Sequence, residues 1–282
     1  MSTVFDSRPC HLGEGALWHP RREMLFWFDI LDNRLLGRGA DGIYQAELPE
    51  RHSAAAWIDA DRLLLASETG LWCFDLDSRQ RVRVAEIEAH DATTRSNDGR
   101  ADPWGGFWIG TMGKQAQSGA GALYRFFRGR LVRLRAGLTI PNAICFAPDR
   151  SLAYFADTAI QRVWQWQLDP EGWPMNDPQV FMDFAAAGLY PDGAVTDADG
   201  ALWIAHWGAG WVGHYDVAGT CLARRDLPSP QPTCPAFGAG RLYVTSAWEG
   251  MSSPAREDYP LAGQTFDLGP VAGARDEPSF CL

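Results

Sequence analysis

The chain lacks the features that would place it in a membrane or in a disulfide-rich class. Its six cysteines are scattered along 282 residues without a CxxC pair, so we expect them to be reduced and mostly structural. No segment is long and apolar enough to span a bilayer, and the start, MSTVFDSRPC, lacks the basic and apolar regions of a secretory signal. These absences predict a cytoplasmic protein with no membrane partner.

Basic charge and helical patterning are also scarce. The 25 Lys and Arg residues are outnumbered by 35 Asp and Glu residues, which gives a formal net charge of -10. Because no basic stripe is available to replace phosphate counterions, we expect no nucleic-acid partner. No window has an apolar period of 3.6 residues over the length of a helix, and Gly and Pro occur too often for long helices.

The chain does contain a repeated unit. Each unit reads as a short strand, a turn rich in Pro, Asp or Gly, and a second strand rich in Trp, Phe, Leu or Val, followed by a further pair of short strands. The six units begin at Glu14, Ala54, Asn97, Asn142, Asp192 and Thr233. Four short strands at a period of ~40–50 residues are typical of a propeller blade. We therefore predict an all-β, six-bladed β-propeller that forms one domain over residues 1–282. Either the N-terminal TVFD or the C-terminal segment would complete a blade begun at the other end.

The first residues of the six units fall on one column when the units are aligned on their turns. In a closed ring, equivalent positions are neighbours, so this column would bring two carboxylates and two amides to the mouth of a central channel. Glu14, Asn142 and Asp192 would offer hard oxygen donors with two negative charges, which suits one divalent cation. Calcium, magnesium, manganese or ferrous iron fits this set, and zinc is also compatible. The alternative is that these residues only cap turns, since Asn-Asp-Gly, Pro-Asn and Pro-Asp-Gly all form turns.

Five short motifs carry a family resemblance. They are Gly-Glu-Gly-Ala-Leu-Trp at 13–18, Arg-Ser-Asn-Asp-Gly at 95–99, Gly-Thr-Met at 110–112, Ile-Pro-Asn at 140–142 and Pro-Asp-Gly at 191–193. In this order and at blade spacing, they resemble the signature of the SMP-30/gluconolactonase/regucalcin-like family. The resemblance covers nearly the whole chain, and the six-bladed propeller of that family agrees with the fold predicted from the repeat.

The resemblance implies roles for two groups of residues. Glu14, Asn142 and Asp192 match the divalent-metal ligands of the family, and Asp192 also matches the residue proposed to transfer a proton. Asn97 matches a residue that lies close to the metal and contacts the substrate, and Arg95 matches an arginine that hydrogen-bonds sugar hydroxyls.

Two of the predicted substrate-binding residues, Gln115 and Arg95, have alternative interpretations. Gln115 stands at about the place of a glutamate found in animal members of the family, so the substrate could be oriented differently here. Arg95 could instead form an ion pair with Asp91 or Asp98. Outside the motifs, His206 could reach the channel but reads as a core histidine, and Cys234 could lie near the mouth.

The donor set and the resemblance together predict an enzyme. We expect metal-dependent hydrolysis of a sugar aldonolactone of the arabinono-, xylono-, galactono- or gluconolactone type, with the metal polarising the lactone carbonyl. Asp192 or a metal-bound water would handle the proton. Two other functions stay open: a calcium-binding regulatory protein without turnover, and a related propeller esterase or phosphotriesterase, which should have an apolar mouth. Because a closed ring leaves few free strand edges, we expect a monomer.

Overall fold

Six four-stranded antiparallel sheets make up the structure, a computed structural model that describes residues 2–282. In five sheets the four strands follow one another in chain order, and each sheet is one blade. The inner strands of consecutive blades lie side by side, and the first inner strand also contacts the last, so the sheets close into a ring. The predicted six-bladed propeller is therefore confirmed.

The first three blades are built from β2 to β13. The first blade contains β2 (Gly13–His19), β3 (Met24–Asp29), β4 (Arg34–Gly39) and β5 (Gly42–Glu47). The second contains β6 (His52–Trp57), β7 (Arg62–Ser67), β8 (Gly70–Asp75) and β9 (Arg81–Glu86). The third contains β10 (Thr94–Ala101), β11 (Phe107–Gly113), β12 (Gly121–Phe127) and β13 (Arg130–Leu138).

The remaining blades use the rest of the chain and one strand from its beginning. The fourth contains β14 (Pro141–Phe146), β15 (Leu152–Asp157), β16 (Arg162–Gln167) and β17 (Gln179–Asp183). The fifth contains β18 (Tyr190–Thr196), β19 (Leu202–Trp207), β20 (Trp211–Tyr215) and β21 (Cys221–Asp226). The sixth contains β22 (Pro232–Gly238), β23 (Arg241–Ser246), β24 (Thr265–Pro270) and the N-terminal β1 (Thr3–Asp6).

Helical structure is confined to short segments. The single α-helix in residues 2–282 is α1 (Ser253–Asp258), which lies between β23 and β24, and two 3-10 turns cover Thr158–Ile160 and Ala185–Ala187. None of these helices is long and apolar enough to cross a membrane.

The hydrophobic core consists of six clusters, one between each pair of neighbouring blades. Between the sixth and first blades, Trp18 and Trp27 pack with Tyr243. Between the third and fourth blades, Trp108 meets Phe155. Trp27 and Trp108 have no exposed surface, and each fully buried large apolar side chain contributes about 1.5–3 kcal/mol. Trp18, Trp27 and Trp108 therefore fill the wedges between neighbouring blades.

The N-terminal strand closes the ring. Thr3 of β1 pairs with Asp267 of β24, so TVFD is the outermost strand of the sixth blade. The C-terminal residues instead lie across the end of the channel where the inner strands finish. There Glu277 forms an ion pair with Arg100, and the backbone of Phe280 donates to Trp57 O at 2.9 Å. The opposite end of the channel, where the inner strands begin, is the end that carries the predicted column.

A β-bulge interrupts every inner strand at this column. The register with the neighbouring strand shifts between Glu14 and Leu17 in β2 and between Asn142 and Cys145 in β14. The other four inner strands shift at the corresponding place. Because a bulge bends the strand and re-aims its side chains, it sets the direction of the column residues in all six blades.

The structure corrects one member of the predicted column. In the second blade His52 pairs with Ser67, just as Gly13 pairs with Asp29 in the first blade. The equivalent of Glu14 is therefore Ser53, and not Ala54 as the alignment on turns predicted. The error arises because the first hairpins of the blades differ in length, so aligned turns do not align the strand starts. Ser53 donates to a backbone carbonyl of the third blade at 2.6 Å.

His206 is a core residue, as the sequence indicated. It has no exposed surface, and its Nε2 lies 2.7 Å from the hydroxyl of Tyr215. Phe184 packs edge-on against its ring. Burial in this apolar setting lowers the pKa of His206 to about 3.

We expect the protein to lose stability in acid, with His206 as one cause. Because the folded-state pKa is lowered from about 6.5, this contribution is fully present above pH 6.5 and is lost as the pH falls towards 3. The loss is about 1.4 kcal/mol per pH unit for one such group. Denaturant unfolding between pH 7 and pH 4.5 measures it. His206→Gln should flatten this pH dependence, and His90→Gln, at an exposed position, should not. An unchanged pH dependence in His206→Gln would contradict the assignment.

Candidate functional site

A cavity of about 520 Å³ opens at the end of the channel where the inner strands begin. This volume lies in the range of small-molecule sites, about 300–1,000 Å³. All the site residues predicted from the sequence line it, namely Glu14, Arg95, Asn97, Gln115, Asn142 and Asp192. Residues from four different blades are thus brought together at one place, as the ring argument required.

Local backbone geometry places the column residues close to neighbouring strands. Gly15, directly after Glu14, has φ of 61°, and a Cβ there would clash with the carbonyl oxygen of Ser53. Gly193 follows Asp192, and a Cβ there would lie 2.8 Å from the Cα of the next inner strand. The glycines in the Gly-Glu-Gly and Pro-Asp-Gly motifs are therefore required by the close approach of inner strands. Ala143, directly after Asn142, adopts a left-handed φ of 54° without being glycine, a strain that is typical of functional sites.

A chain of hydrogen bonds connects three blades across the cavity floor. Arg95 Nη1 donates to Asn97 Oδ1 at 2.9 Å. Asn97 Nδ2 donates to Asn142 Oδ1 at 2.9 Å, and Asn142 Nδ2 donates to Thr158 Oγ1 at 2.8 Å. Thr158 completes the chain by donating to Pro191 O at 2.6 Å. An arginine can only donate and a carbonyl can only accept, so the two ends determine the orientation of both amides between them.

These contacts bear on the alternative that the column residues only cap turns. The amides of Asn97 and Asn142 bond across blades and to each other, rather than to the turns that follow them. Both side chains are buried. Their position in the cavity floor is therefore a tertiary feature of the ring.

The carboxylates of Glu14 and Asp192 lie where two negative charges together are unfavourable. Burial, followed by the charge of Asp98, raises the pKa of Glu14 to about 8. Burial, followed by the charge of Glu14, raises the pKa of Asp192 well above its ordinary value. The hydrogen bonds of Glu14 within residues 2–282 are limited to one from Gly15 N, at 3.1 Å. Asp192 is buried and Glu14 is half-buried, and a bound cation would stabilise two carboxylates that repel each other in this way.

The donor set fits a divalent metal by its chemistry. It combines two carboxylates with the amide oxygen of Asn142, which suits hard cations such as calcium, magnesium or manganese. In the part of the chain that the structure describes, there is no group of three or more His, Cys, Asp or Glu side chains arranged to hold a metal. A zinc site built from His and Cys is therefore not present within residues 2–282.

Arg95 faces the cavity rather than forming the ion pair considered from the sequence. Asp91 accepts a hydrogen bond from a neighbouring threonine, and Asp98 accepts one from Ile144 N at 2.8 Å. Neither carboxylate lies within 4.0 Å of Arg95 in the described residues. Burial lowers the pKa of Arg95 to about 10, while the charges of Glu249 and Glu14 act in the opposite direction. The guanidinium therefore stays charged at neutral pH.

Gln115 lies at the exposed rim of the cavity. Its backbone N–H donates to Gln117 Oε1 at 3.2 Å, and its side chain forms no hydrogen bond within the described residues. Next to it, Lys114 pairs with Glu68 at 2.5 Å. Gln115 is thus free to contact a ligand at the mouth, but the protein does not fix its position.

Several lining residues escaped sequence analysis. They are Leu12, Met112, Lys114, Ala116, Ile140, Thr158, Ala159, Tyr190, Trp207 and Glu249. Of these, Met112 and Ile140 lie within the motifs of the family resemblance, whereas Glu249 lies in the loop after β23, which the repeat pattern does not cover. Cys234 is almost fully buried and packs against Gly193, and it is not among the residues that line the cavity. Cys234 therefore lies beside the column but behind the cavity lining, and it is not exposed at the mouth.

Comparison with known proteins relates this geometry to a family. Residues 12–248 match the family model described as SMP-30/Gluconolactonase/LRE-like region. A Rhizobium meliloti (strain 1021) protein, provisionally named sugar lactone lactonase, is 43% identical over 96% of this chain and 94% of its own length. L-arabinolactonase from Azospirillum brasilense is 38% identical over 90% of this chain and 87% of its own length. A crystal structure described as a calcium-binding protein, regucalcin, from Agrobacterium tumefaciens superposes with a TM-score of 0.98 at 39% identity, covering 100% of this chain and 98% of the other.

Proposed function

Because the chain belongs to the SMP-30/gluconolactonase/LRE-like family, we propose that it hydrolyses sugar aldonolactones of the arabinono-, xylono-, galactono- or gluconolactone type. One observation carries the proposal: two mutually repelling carboxylates, two ordered amides and a cationic guanidinium line one small cavity in a chain with sugar lactonase relatives. We propose that residues 1–282 act as a single propeller domain in this reaction.

The same residues support a divalent metal as cofactor. Glu14, Asn142 and Asp192 would hold it, since they supply the hard oxygen donors and the negative charge that such a cation needs. When bound, the cation would act as a Lewis acid that polarises the lactone carbonyl and stabilises the negative charge that develops on it. Calcium, magnesium, manganese, ferrous iron and zinc are the candidate cations for this donor set.

The protein residues would position the substrate and move one proton. Asp192 would accept a proton as the water oxygen bonds to the carbonyl carbon, and would return it to the ring oxygen as the bond between that oxygen and the carbonyl carbon breaks. The products are one carboxyl group and one hydroxyl group, so atoms and charge balance. Arg95 offers a rigid set of donors to sugar hydroxyls. Asn97, held at both ends by hydrogen bonds, would keep that arginine in place.

A panel of lactones tests the proposal directly. Purified protein should hydrolyse at least one neutral pentono- or hexonolactone at a rate well above spontaneous ring opening, with aldonic acid as the product. The rate of acid release at constant pH is the measurement. Folded protein that leaves every lactone of the panel at the spontaneous rate, with each of the candidate metals added in turn, would refute the proposal.

A second function is favoured by one specific observation. The structure that superposes with a TM-score of 0.98 is described as a calcium-binding protein. If the present chain is a calcium-binding protein without turnover, calorimetry would show calcium binding while the lactone panel stays at background. The two functions therefore give opposite results in the same panel.

A further inference from the structure

Glu249 is an acidic lining residue that belongs neither to the proposed ligand set nor to the repeat column. Within residues 2–282, the acidic side chains that line the cavity are Glu14, Asp192 and Glu249. Glu249 lies in the loop after β23, and it follows the last residue of the region that the family model matches, 12–248. Glu249 therefore reaches the cavity from a loop of the sixth blade and not from an inner strand.

The carboxylate of Glu249 acts on Arg95. Among the acidic groups that favour the charged form of Arg95, Glu249 has a larger effect than Glu14 or Asp192. Arg95 uses Nη1 to donate to Ser96 O and Asn97 Oδ1, and its other N–H groups have no hydrogen-bond partner in the described residues. Arg95 from the third blade and Glu249 from the loop of the sixth blade therefore line the same cavity.

Lys114 is the second cationic residue that lines the cavity, and its charge is paired with that of Glu68. Lys114 Nζ lies 2.5 Å from Glu68 Oε2, and both side chains are mostly buried, with exposed fractions of 28% and 20%. The charge of Lys114 is thus already paired with that of Glu68. With Glu14 and Asp192 assigned to the metal, Glu249 is the acidic lining residue that stays outside the ligand set.

We propose that Glu249 is a specificity-determining residue that restricts the site to uncharged lactones. A lactone that carries a further carboxylate or sulfonate would meet the like charge of Glu249 in a partly desolvated cavity, where repulsion is stronger than in water. Rejection by an unfavourable charge is a general route to specificity. This inference rests on the lactonase function proposed above and names the substrate class of that site as neutral and rich in hydroxyl groups.

Matched lactones test the proposal. D-glucono-1,4-lactone is neutral, and D-glucaro-1,4-lactone has the same ring and stereocentres but carries a carboxylate at C6 at neutral pH. The wild-type protein should have a kcat/KM at least about tenfold higher for the neutral lactone, the scale expected from one like charge at short range. Glu249→Gln should reduce this ratio by about tenfold through a lower KM for the anionic lactone. Glu249→Asp, which keeps the charge, should retain the wild-type preference.

Two further measurements separate electrostatic exclusion from a structural role. Added salt should lower the wild-type KM for the anionic lactone, because salt screens repulsion at a partly exposed site, and should have little effect in Glu249→Gln. The control Glu47→Gln makes the same charge change at an exposed position in β5 and should leave the ratio unchanged.

The outcomes distinguish this inference from the function on which it rests. Equal kcat/KM values for the two lactones in wild-type protein, or an unchanged ratio in Glu249→Gln, would overturn the role of Glu249 while leaving the lactonase function intact. No hydrolysis of either lactone by folded wild-type protein, across the candidate metals, would refute the lactonase function and the specificity proposal with it.

Discussion

Asp192→Asn is expected to reduce kcat for lactone hydrolysis by at least about 10³-fold, the upper part of the range for loss of a general base. The amide has the same shape as the carboxylate but can neither accept the proton of the attacking water nor contribute charge to the proposed metal site. Both proposed roles of Asp192 are therefore lost together. Hydrolysis of the preferred lactone under saturating substrate measures the effect.

The same substitution is expected to leave the propeller folded. Because burial and the charge of Glu14 raise the pKa of Asp192, the carboxylate destabilises the metal-free protein at neutral pH, and its removal should raise the melting temperature of that form. Asp199→Asn is the matched control, since Asp199 lies at an exposed position in the hairpin that follows the same strand. Asp192→Asn with wild-type kcat would exclude Asp192 as the proton-transfer group.

Removal of divalent metal is expected to have the second large effect on lactone hydrolysis. Chelation should bring lactone hydrolysis to the spontaneous rate, and one or more of calcium, magnesium, manganese, ferrous iron or zinc should restore it. The cation should also stabilise the fold, by about 2.7 kcal/mol at a free concentration one hundred times its Kd. Thermal unfolding therefore reports metal binding independently of activity.

Glu14→Gln links this stabilisation to the predicted ligands. The substitution removes one of two negative charges, so the variant should lose most of the metal-dependent rise in melting temperature. Glu257→Gln, at an exposed position in α1, should keep the full response. A chelated wild-type protein that hydrolyses lactone at the original rate would show that the metal is not required. An undiminished thermal response in Glu14→Gln would remove Glu14 from the ligand set.

Repetition made the fold and the ligand positions predictable. The alternation of short strands and turns, repeated six times, indicated the propeller, because each unit can bury its apolar face only against the next unit. The position of Glu14, Asn142 and Asp192 at equivalent places in their units predicted that they would meet in one cavity, which they line. Asn97 lay in the same column, motif resemblance added Arg95 and Gln115, and all three residues line the same cavity.

The repeat predicted the fold, but aligning the units on their turns did not predict the position of every residue. Ala54 was placed in the column where the register puts Ser53, because hairpin length varies from blade to blade. Cys234 was expected near the mouth, but the inner strand buries it against Gly193. Side-chain direction within a strand changes with a shift of one residue, and the position of a bulge is not visible in the sequence.

By itself, the sequence determined the six-bladed ring, the column of oxygen donors and the end of the inner strands at which they gather. These follow from local strand periodicity and from the equivalence of repeated units. Only the tertiary structure decided which residues outside the column share the cavity, such as Thr158, which bonds both to Asn142 and to the fifth blade, and Glu249, which comes from a loop of the sixth blade. The positions of these two residues depend on how neighbouring blades meet and on loops that do not repeat.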